Sequence, residues 1–338
     1  MVRFIRMLGI SLSVGQRLLD GQPGSTPAAV RRLGVLAISV MVAAACGGAA
    51  APSDSSSPAP QATATAGQTI TLADVSDSPS ETIMSFQPLA DYLASQLADF
   101  GIEQGKVVVA PDLETIAADL ESGTVDLYFD SPFPALDVVD QIGAFVLVRR
   151  WKGGVAEYHT KIVVPADSGL TDLDGLKGAL IAFDDSVSTS GYLLPKSHLV
   201  GLGYILVEQP SAGSTVASDE IGYVFAGGEE NVLAWVLEGK APAGVLASGD
   251  YDALSEDVKR SLRVIETTVA VPRHIALSSP VMDETLRERV TELLLHIHET
   301  AEGRAALEAF ESTTKFDALP DGPEKTLASL RELFAAAR

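Results

Sequence analysis

Four hydroxyl side chains fall within five residues, Ser186, Ser188, Thr189 and Ser190, in the stretch 184-DDSVSTSGYLLP-195. Gly191 follows them, and an apolar run begins at Tyr192. The strand-like segment ALIAF (179–183) comes just before, so the hydroxyls are expected at the N-terminus of a helix. First-turn N–H groups there have no intrahelical acceptor, and the helix dipole is positive. Ser and Thr add O–H donors, and a glycine lets a ligand approach the backbone. This combination suits an oxyanion and needs no cation. Simple N-capping uses one Ser or Thr, and four hydroxyls exceed that need.

Other chemistries find less support. No G-x-S-x-G elbow occurs, and Ser190 has no evident base in sequence. Gly153-Gly154 and Gly227-Gly228 lack the lysine-serine ending of a phosphate loop. His296 and His298 stand two apart on a helical pattern and do not share a face. With five histidines and one cysteine, no metal site is expected, nor any catalytic residue or cofactor. The basic spot 149-RRWKGG-154 could steer anions or touch a permease, although a solvated turn over a packed Trp151 is the plainer reading. Trp235 is read as core. Asp130, Asp184 and Asp185 either shape loops or accept a ligand O–H, since an unpaired acid would reject a fully ionised oxyanion.

The chain carries 24 basic and 45 acidic residues, a net charge of −21. Setting aside residues 1–45, with five basic groups and one acid, leaves 19 against 44, or −25. Such a surface repels nucleic acid, so no nucleic-acid partner is expected.

The segment 31-RRLGVLAISVMVAAAC-46 has two arginines, a short apolar core and small residues before Cys46, the layout of an export signal. Its apolar run is too short to span a bilayer, which needs roughly 20 residues. Ala43-Ala44-Ala45-Cys46 resembles a lipobox, which implies lipidation at Cys46. Residues 1–30 do not fit a signal and suggest a start assigned too far upstream. Residues 46–68 are rich in Gly, Ala, Ser, Pro and Thr and read as a flexible tether. The folded domain is expected over 69–338, anchored to the outer face of the cytoplasmic membrane or lying in the periplasm.

The elements that must position the hydroxyl loop follow from periodicity. Strands are expected at 69–75, 106–110, 125–129, 144–151, 159–165, 179–183, 204–209 and 243–248, then in SLRVIETTVAV and RHIALS. Helices are expected at 82–101, with Phe86, Leu89, Ala90, Leu93 and Leu97 on one face and Gly101 as the stop, and at 112–123, 191–203 and 231–239. The chain is helical from about Asp283, over 285–303 and 325–338. Alternation of this kind implies mainly parallel sheets covered on both faces. Ligands then sit beyond the carboxyl ends of strands, which singles out the loops 76–80, 130–134, 184–190 and 226–231.

SVSTSGYLLP resembles the S-T-S-G-Y-L-[LV]-P signature of the phosphate/phosphite/phosphonate-binding (PhnD-like) proteins of ABC importers. FQPLADYL (86–93), KIVVPADSGLTDLDGLKG (161–178), GGEENVLAWVLEGKAPAG (227–244) and EGRAALEAFESTTKFDAL (302–319) are similar to further passages of that family, in order. The resemblance implies an α/β, type II periplasmic-binding-protein fold of two lobes, about 69–158 plus the C-terminal helices and about 159–275. It implies a monomer that captures a small phosphorus oxyanion between the lobes and hands it to an ABC permease. Ser188, Thr189, Ser190 and Gly191 would hold the oxyanion, with Tyr128, Ser131, Tyr158 and His159 as further candidates. Glu229 departs from the pattern, because the family has histidine there and an ionised carboxylate donates no hydrogen bond. It would take the acidic proton of the ligand, point away, or mark another small anion. Ala247 stands where aminoalkylphosphonate binders carry an aspartate, which points to phosphate, phosphite or a short phosphonate. A sensor subunit serving a membrane receptor would have the same site. A phosphate-ester hydrolase would need a metal cluster or an activated nucleophile.

Overall fold

The computed structural model describes residues 68–76 and 78–337. Cys46, the expected signal and nearly all of the tether lie outside the described residues. The chain runs through β1 (Gln68–Val75), α1 (Pro79–Gln96), β2 (Ile102–Ala110), α2 (Leu113–Ser122), β3 (Leu127–Asp130), α3 (Pro132–Ile142) and β4 (Phe145–Arg150). After β5 (Glu157–Tyr158) come β6 (Thr160–Pro165), β7 (Leu180–Phe183), a π-helical turn (Thr189–Leu193), α4 (Leu194–Gly201), β8 (Ile205–Glu208), β9 (Glu220–Phe225) and α5 (Glu229–Leu237). The remainder is β10 (Ala243–Ala247), α6 (Ser248–Ala253), α7 (Glu256–Ser261), β11 (Leu262–Thr267), β12 (Val271–Pro272), β13 (His274–Ser278), α8 (Glu284–His296), α9 (Ala301–Ala309), β14 (Phe316–Asp317) and α10 (Pro323–Ala335).

These strands form two six-stranded sheets, one ordered β14-β4-β13-β3-β1-β2 and the other β11-β6-β10-β7-β9-β8. A short antiparallel pair, β5 with β12, accompanies the passage between them. The α/β class and the two lobes match expectation. The sheets are mixed, however, not mainly parallel: β13 runs antiparallel to both β3 and β4, β14 to β4, and β6 to both β10 and β11. In the first sheet the reason is the return of the chain. After building the second sheet it re-enters the first at β13, so His274–Ser278 belongs with the first lobe and the second sheet ends at Thr267.

Amphipathic spacing explains the packing. Phe86, Leu89, Ala90 and Leu93 on α1 are buried with Phe129, Phe310 and Phe316 against the first sheet. Phe86 and Phe310 meet edge to face at 4.5 Å between ring centroids. The C-terminal helix α10 packs on both α3 of the first lobe and α4 of the second. Gly105 on β2 lies so close to α1 that a Cβ there would fall 2.3 Å from the Ala90 carbonyl carbon. Backbone cannot yield as a side chain would. Gly105→Ala is therefore expected to cost at least about 2 kcal/mol, read as an earlier midpoint in denaturant unfolding.

Candidate functional site

The carboxyl ends of β1, β3 and β7 face one polar cleft of about 370 Å³ between the two sheets. The first lobe contributes Asp74, Ser76, Asp130, Ser131, Lys152, Arg273, His274 and Glu311, and the second contributes Ser188, Thr189 and Ser190. Tyr158, on the strand joining the lobes, closes one side. Loops 130–134 and 184–190 and the start of 76–80 reach the cleft, as strand-end geometry requires.

Three of the loop's four hydroxyls line the cleft, and they do separate jobs. Ser188 caps the helix: Gly191 N–H donates to its Oγ at 3.0 Å, and its hydroxyl also bonds the Asp184 carboxylate. Leu193 N–H donates to the Ser188 carbonyl at 3.1 Å, a bond one residue longer than in an α-helix, which makes the first turn π-helical. Thr189 reaches across to the first lobe. Its Oγ1 accepts from Phe133 N–H at 3.0 Å and donates to Ser131 Oγ at 3.0 Å. Ser131 in turn donates through Oγ to Asp130 Oδ1 at 3.1 Å and through its N–H at 2.6 Å. Because a carboxylate only accepts, this chain has one direction, and the Thr189 hydrogen is committed to Ser131. Ser190 is placed beside Tyr158, and its carbonyl accepts from Thr160 Oγ1 at 2.7 Å.

Gly191 serves packing rather than ligand access. A Cβ there would lie 2.3 Å from the Cβ of Asp184. Tyr128 is fully buried behind the cleft, and its hydroxyl donates to Asp130 Oδ2. His159 does not line the cleft; its backbone bonds Ser248, and burial followed by Lys161 pushes its imidazole down. Glu229, at the first position of α5, also stands away from the cleft lining, with Oε1 accepting from Ala247 N–H at 2.6 Å. Burial, then Asp250 and Asp184, push its carboxyl up to about 8. It clips the start of α5 to the end of β10. Of the candidate residues, the cleft lining thus brings together Ser131, Tyr158, Ser188, Thr189 and Ser190.

Sequence reasoning missed a cationic wall. The RRWKGG stretch is not a solvated turn. Arg149 is buried and forks onto Asp317 at 2.9 and 2.8 Å. Arg150 is fully buried, donating to Thr313, to the Phe310 carbonyl and to Glu311, and stacking over the Phe310 ring at 3.6 Å. Burial pushes its guanidinium down to about 10, so it stays charged at neutral pH. Lys152 lines the cleft and pairs with Glu311 at 2.9 Å. Burial works against the charge of Glu311, but Lys152 and Arg150 hold its carboxyl below the ordinary value. Glu311 and Ser312 have φ near +51°, a left-handed conformation that costs a non-glycine residue about 1 kcal/mol. Burial, then Arg150 and Lys152, push the His274 imidazole well below its ordinary value, so it is neutral. Arg150 Nη1 lies 3.5 Å from His274 Nδ1, and a guanidinium only donates. Nδ1 therefore accepts, and Nε2 carries the hydrogen.

Arg273 stands apart from these pairs. It lies over the Tyr158 ring at 4.6 Å and has no carboxylate partner among the described residues. Burial pushes the Tyr158 hydroxyl up to about 12, leaving it a neutral donor. The cleft thus offers an unanswered guanidinium, an ammonium, a neutral imidazole, a phenol and the first turn of one helix, at Thr189. This donor set suits a compact anion.

A family model described as ABC transporter, phosphonate, periplasmic substrate-binding protein matches residues 75–321. The phosphate-import protein PhnD of Mycolicibacterium smegmatis is 31% identical over 186 residues, 52% of this chain and 54% of that protein. The chain spans about half the length of this curated relative. Among solved structures, XAC2383 from Xanthomonas citri bound to chloride superposes with a TM-score of 0.72 at 30% identity, covering 79% of this chain and 96% of that one. PhnD1 of Prochlorococcus marinus in complex with methylphosphonate has a TM-score of 0.57 at 16% identity over 78% of this chain and 96% of its own, a likeness of fold. That fold is the type II periplasmic-binding-protein fold, and the family match over most of the described residues, with the oxyanion-suited cleft inside it, settles membership: the chain belongs to the phosphonate-binding family of ABC-transporter periplasmic substrate-binding proteins.

Proposed function

We propose that the protein captures a small phosphorus oxyanion, phosphate, phosphite or a short phosphonate, outside the cytoplasm and delivers it to an ABC permease. The observation that carries this reading is Arg273, a guanidinium at the cleft with no carboxylate partner among the described residues. A bound anion supplies the missing charge. The Ser190 hydroxyl, the first-turn N–H groups at Thr189 and Ser190, Tyr158 and the Nε2–H of His274 complete a donor shell around it. Ligand bridges the lobes and shifts an open–closed equilibrium, and no bond of the ligand is broken. In this reading Cys46 is lipidated and holds the domain at the membrane through residues 47–68, a proposal supported by the lipobox-like Ala43-Ala44-Ala45-Cys46. Glu229, clipped to Ala247, leaves recognition to the cleft lining.

Calorimetric titration of the purified protein with phosphate, phosphite, methylphosphonate, 2-aminoethylphosphonate and sulfate tests the reading. A phosphorus oxyanion is expected to bind tightly. Ser190→Ala, which removes one hydroxyl donor, is expected to weaken it about tenfold. Heat from none of these anions would leave the family assignment as a statement about fold.

A further inference from the structure

The cleft that is to receive an anion also contains carboxylates, and they are not equivalent. Glu311 is answered by Arg150 and Lys152, each at 2.9 Å. Asp130 accepts from Tyr128, Ser131 N–H and Ser131 Oγ. Asp74, at the carboxyl end of β1, receives Val75 N–H on Oδ1 at 2.9 Å, and no donor reaches its Oδ2 among the described residues. This residue lines the cleft directly.

A bare oxyanion seated by Ser190 and Arg273 would set like charges against each other at Asp74, in a partly desolvated cleft where such repulsion is strong. Something positive must stand between them. The groups facing Asp74 are Asp130 and Glu311, which add to the repulsion, and Lys152 and Arg150, which oppose it; Arg273 and His274 line the same cleft. Lys152 and Arg150 are already committed to Glu311. A cationic tail on the ligand would itself meet Lys152, Arg150 and Arg273. A shared proton meets neither objection. Burial and the neighbouring acids push the Asp74 carboxyl up to about 7, which makes its ionised form a stronger acceptor for such a proton than an ordinary carboxylate.

Resting on the capture of a phosphorus oxyanion, we infer that Asp74 sets the specificity of the cleft. Its free Oδ2 shares the acidic hydrogen of a monoprotonated tetrahedral anion, such as hydrogen phosphate or a hydrogen phosphonate, and thereby rejects sulfate, which carries no such hydrogen at neutral pH. The phosphate keeps all four of its bonds to oxygen, and only the position of one hydrogen between two oxygens is at stake. Asp74→Asn keeps the acceptor for Val75 N–H, cannot share a proton as a carboxylate does, and presents an N–H donor instead.

The test is the ratio of phosphate to sulfate affinity, measured by calorimetry at pH 7.5 on the wild type and on Asp74→Asn, with cooperative melting as the check on folding. Asp74→Ser, which also presents a donor, serves in the same way should Asp74→Asn fail to fold. The wild type is expected to prefer phosphate by about 100-fold, and the substitution is expected to bring the ratio to within roughly tenfold of unity, by weakening phosphate and admitting sulfate. An unchanged ratio overturns the role of Asp74 while leaving the capture of phosphate intact. Selective loss of 2-aminoethylphosphonate, with the ratio preserved, also overturns it, because Asp74 would then be holding an ammonium. A wild type that binds no phosphorus oxyanion removes the capture reading itself.

Discussion

Arg273→Ala is expected to lower phosphate affinity by on the order of 100-fold, equivalent to about 3 kcal/mol, while the melting temperature of the unliganded protein stays within about 2 °C. The asymmetry follows from what Arg273 touches. It makes no ion pair among the described residues, and its guanidinium rests on the Tyr158 ring. Removing it unpairs no buried carboxylate, so the fold loses only a cation–π contact worth about 1 kcal/mol. The bound anion, by contrast, loses a charge-assisted donor that nothing nearby replaces. Lys152 is the nearest substitute by type, but Glu311 already holds it at 2.9 Å. Titration and a melt on the same preparation decide the matter. A variant that binds phosphate as tightly as the wild type would place the anion elsewhere. One that melts far lower would make Arg273 structural.

Arg150→Met reverses the pattern, with stability taking the larger loss. Arg150 is fully buried and donates to Thr313 at 2.8 Å, to the Phe310 carbonyl at 2.9 Å and to Glu311 at 2.9 Å. Methionine fits the space but takes the donor away from Thr313 Oγ1 and leaves a half-buried carboxylate short of one partner, while the Phe310 carbonyl keeps its bonds from Thr313. Breaking a buried pair from one side costs about 3–5 kcal/mol. For a domain of this size that is a fall in melting temperature of about 10 °C. Adding Glu311→Gln to Arg150→Met is expected to restore part of the loss, because the stranded charge is then gone. No restoration would assign the cost to packing over the Phe310 ring instead.

The two variants also mark where sequence reading succeeded and where it stopped. The hydroxyl loop was legible because its signal is local: an apolar strand, small hydroxyls and a helical period stand in consecutive positions. The α1 core face was legible for the same reason, and its apolar residues are buried as the spacing requires. The cationic wall was not. Arg150, Lys152, Arg273, His274 and Glu311 come together only because β13 returns to the first sheet and inserts between β3 and β4. In sequence, RRWKGG is a polar cluster near two glycines, and nothing local tells a buried arginine from a solvated one. Gly191 failed differently: its place before a helix reads as room for a ligand, but the space is filled by Asp184. For Glu229, which replaces the expected histidine, the sequence left three roles open; in the fold it stands off the cleft lining, with Oε1 accepting from the Ala247 N–H.

The hydrogen-bond chain from Phe133 through Thr189 and Ser131 to Asp130 joins the lobes with protein atoms alone. Interactions of this kind reward closure whether or not the cleft is filled. They raise affinity, since less of the ligand's own interaction energy goes into bringing the lobes together. The same bonds also raise the population of empty molecules that look full from outside. A transporter that recognises the closed outline would then be visited by carriers with nothing to deliver, and each visit would occupy it for no gain. The strength of that chain is therefore a compromise between sensitivity at low solute concentration and idle traffic at the membrane.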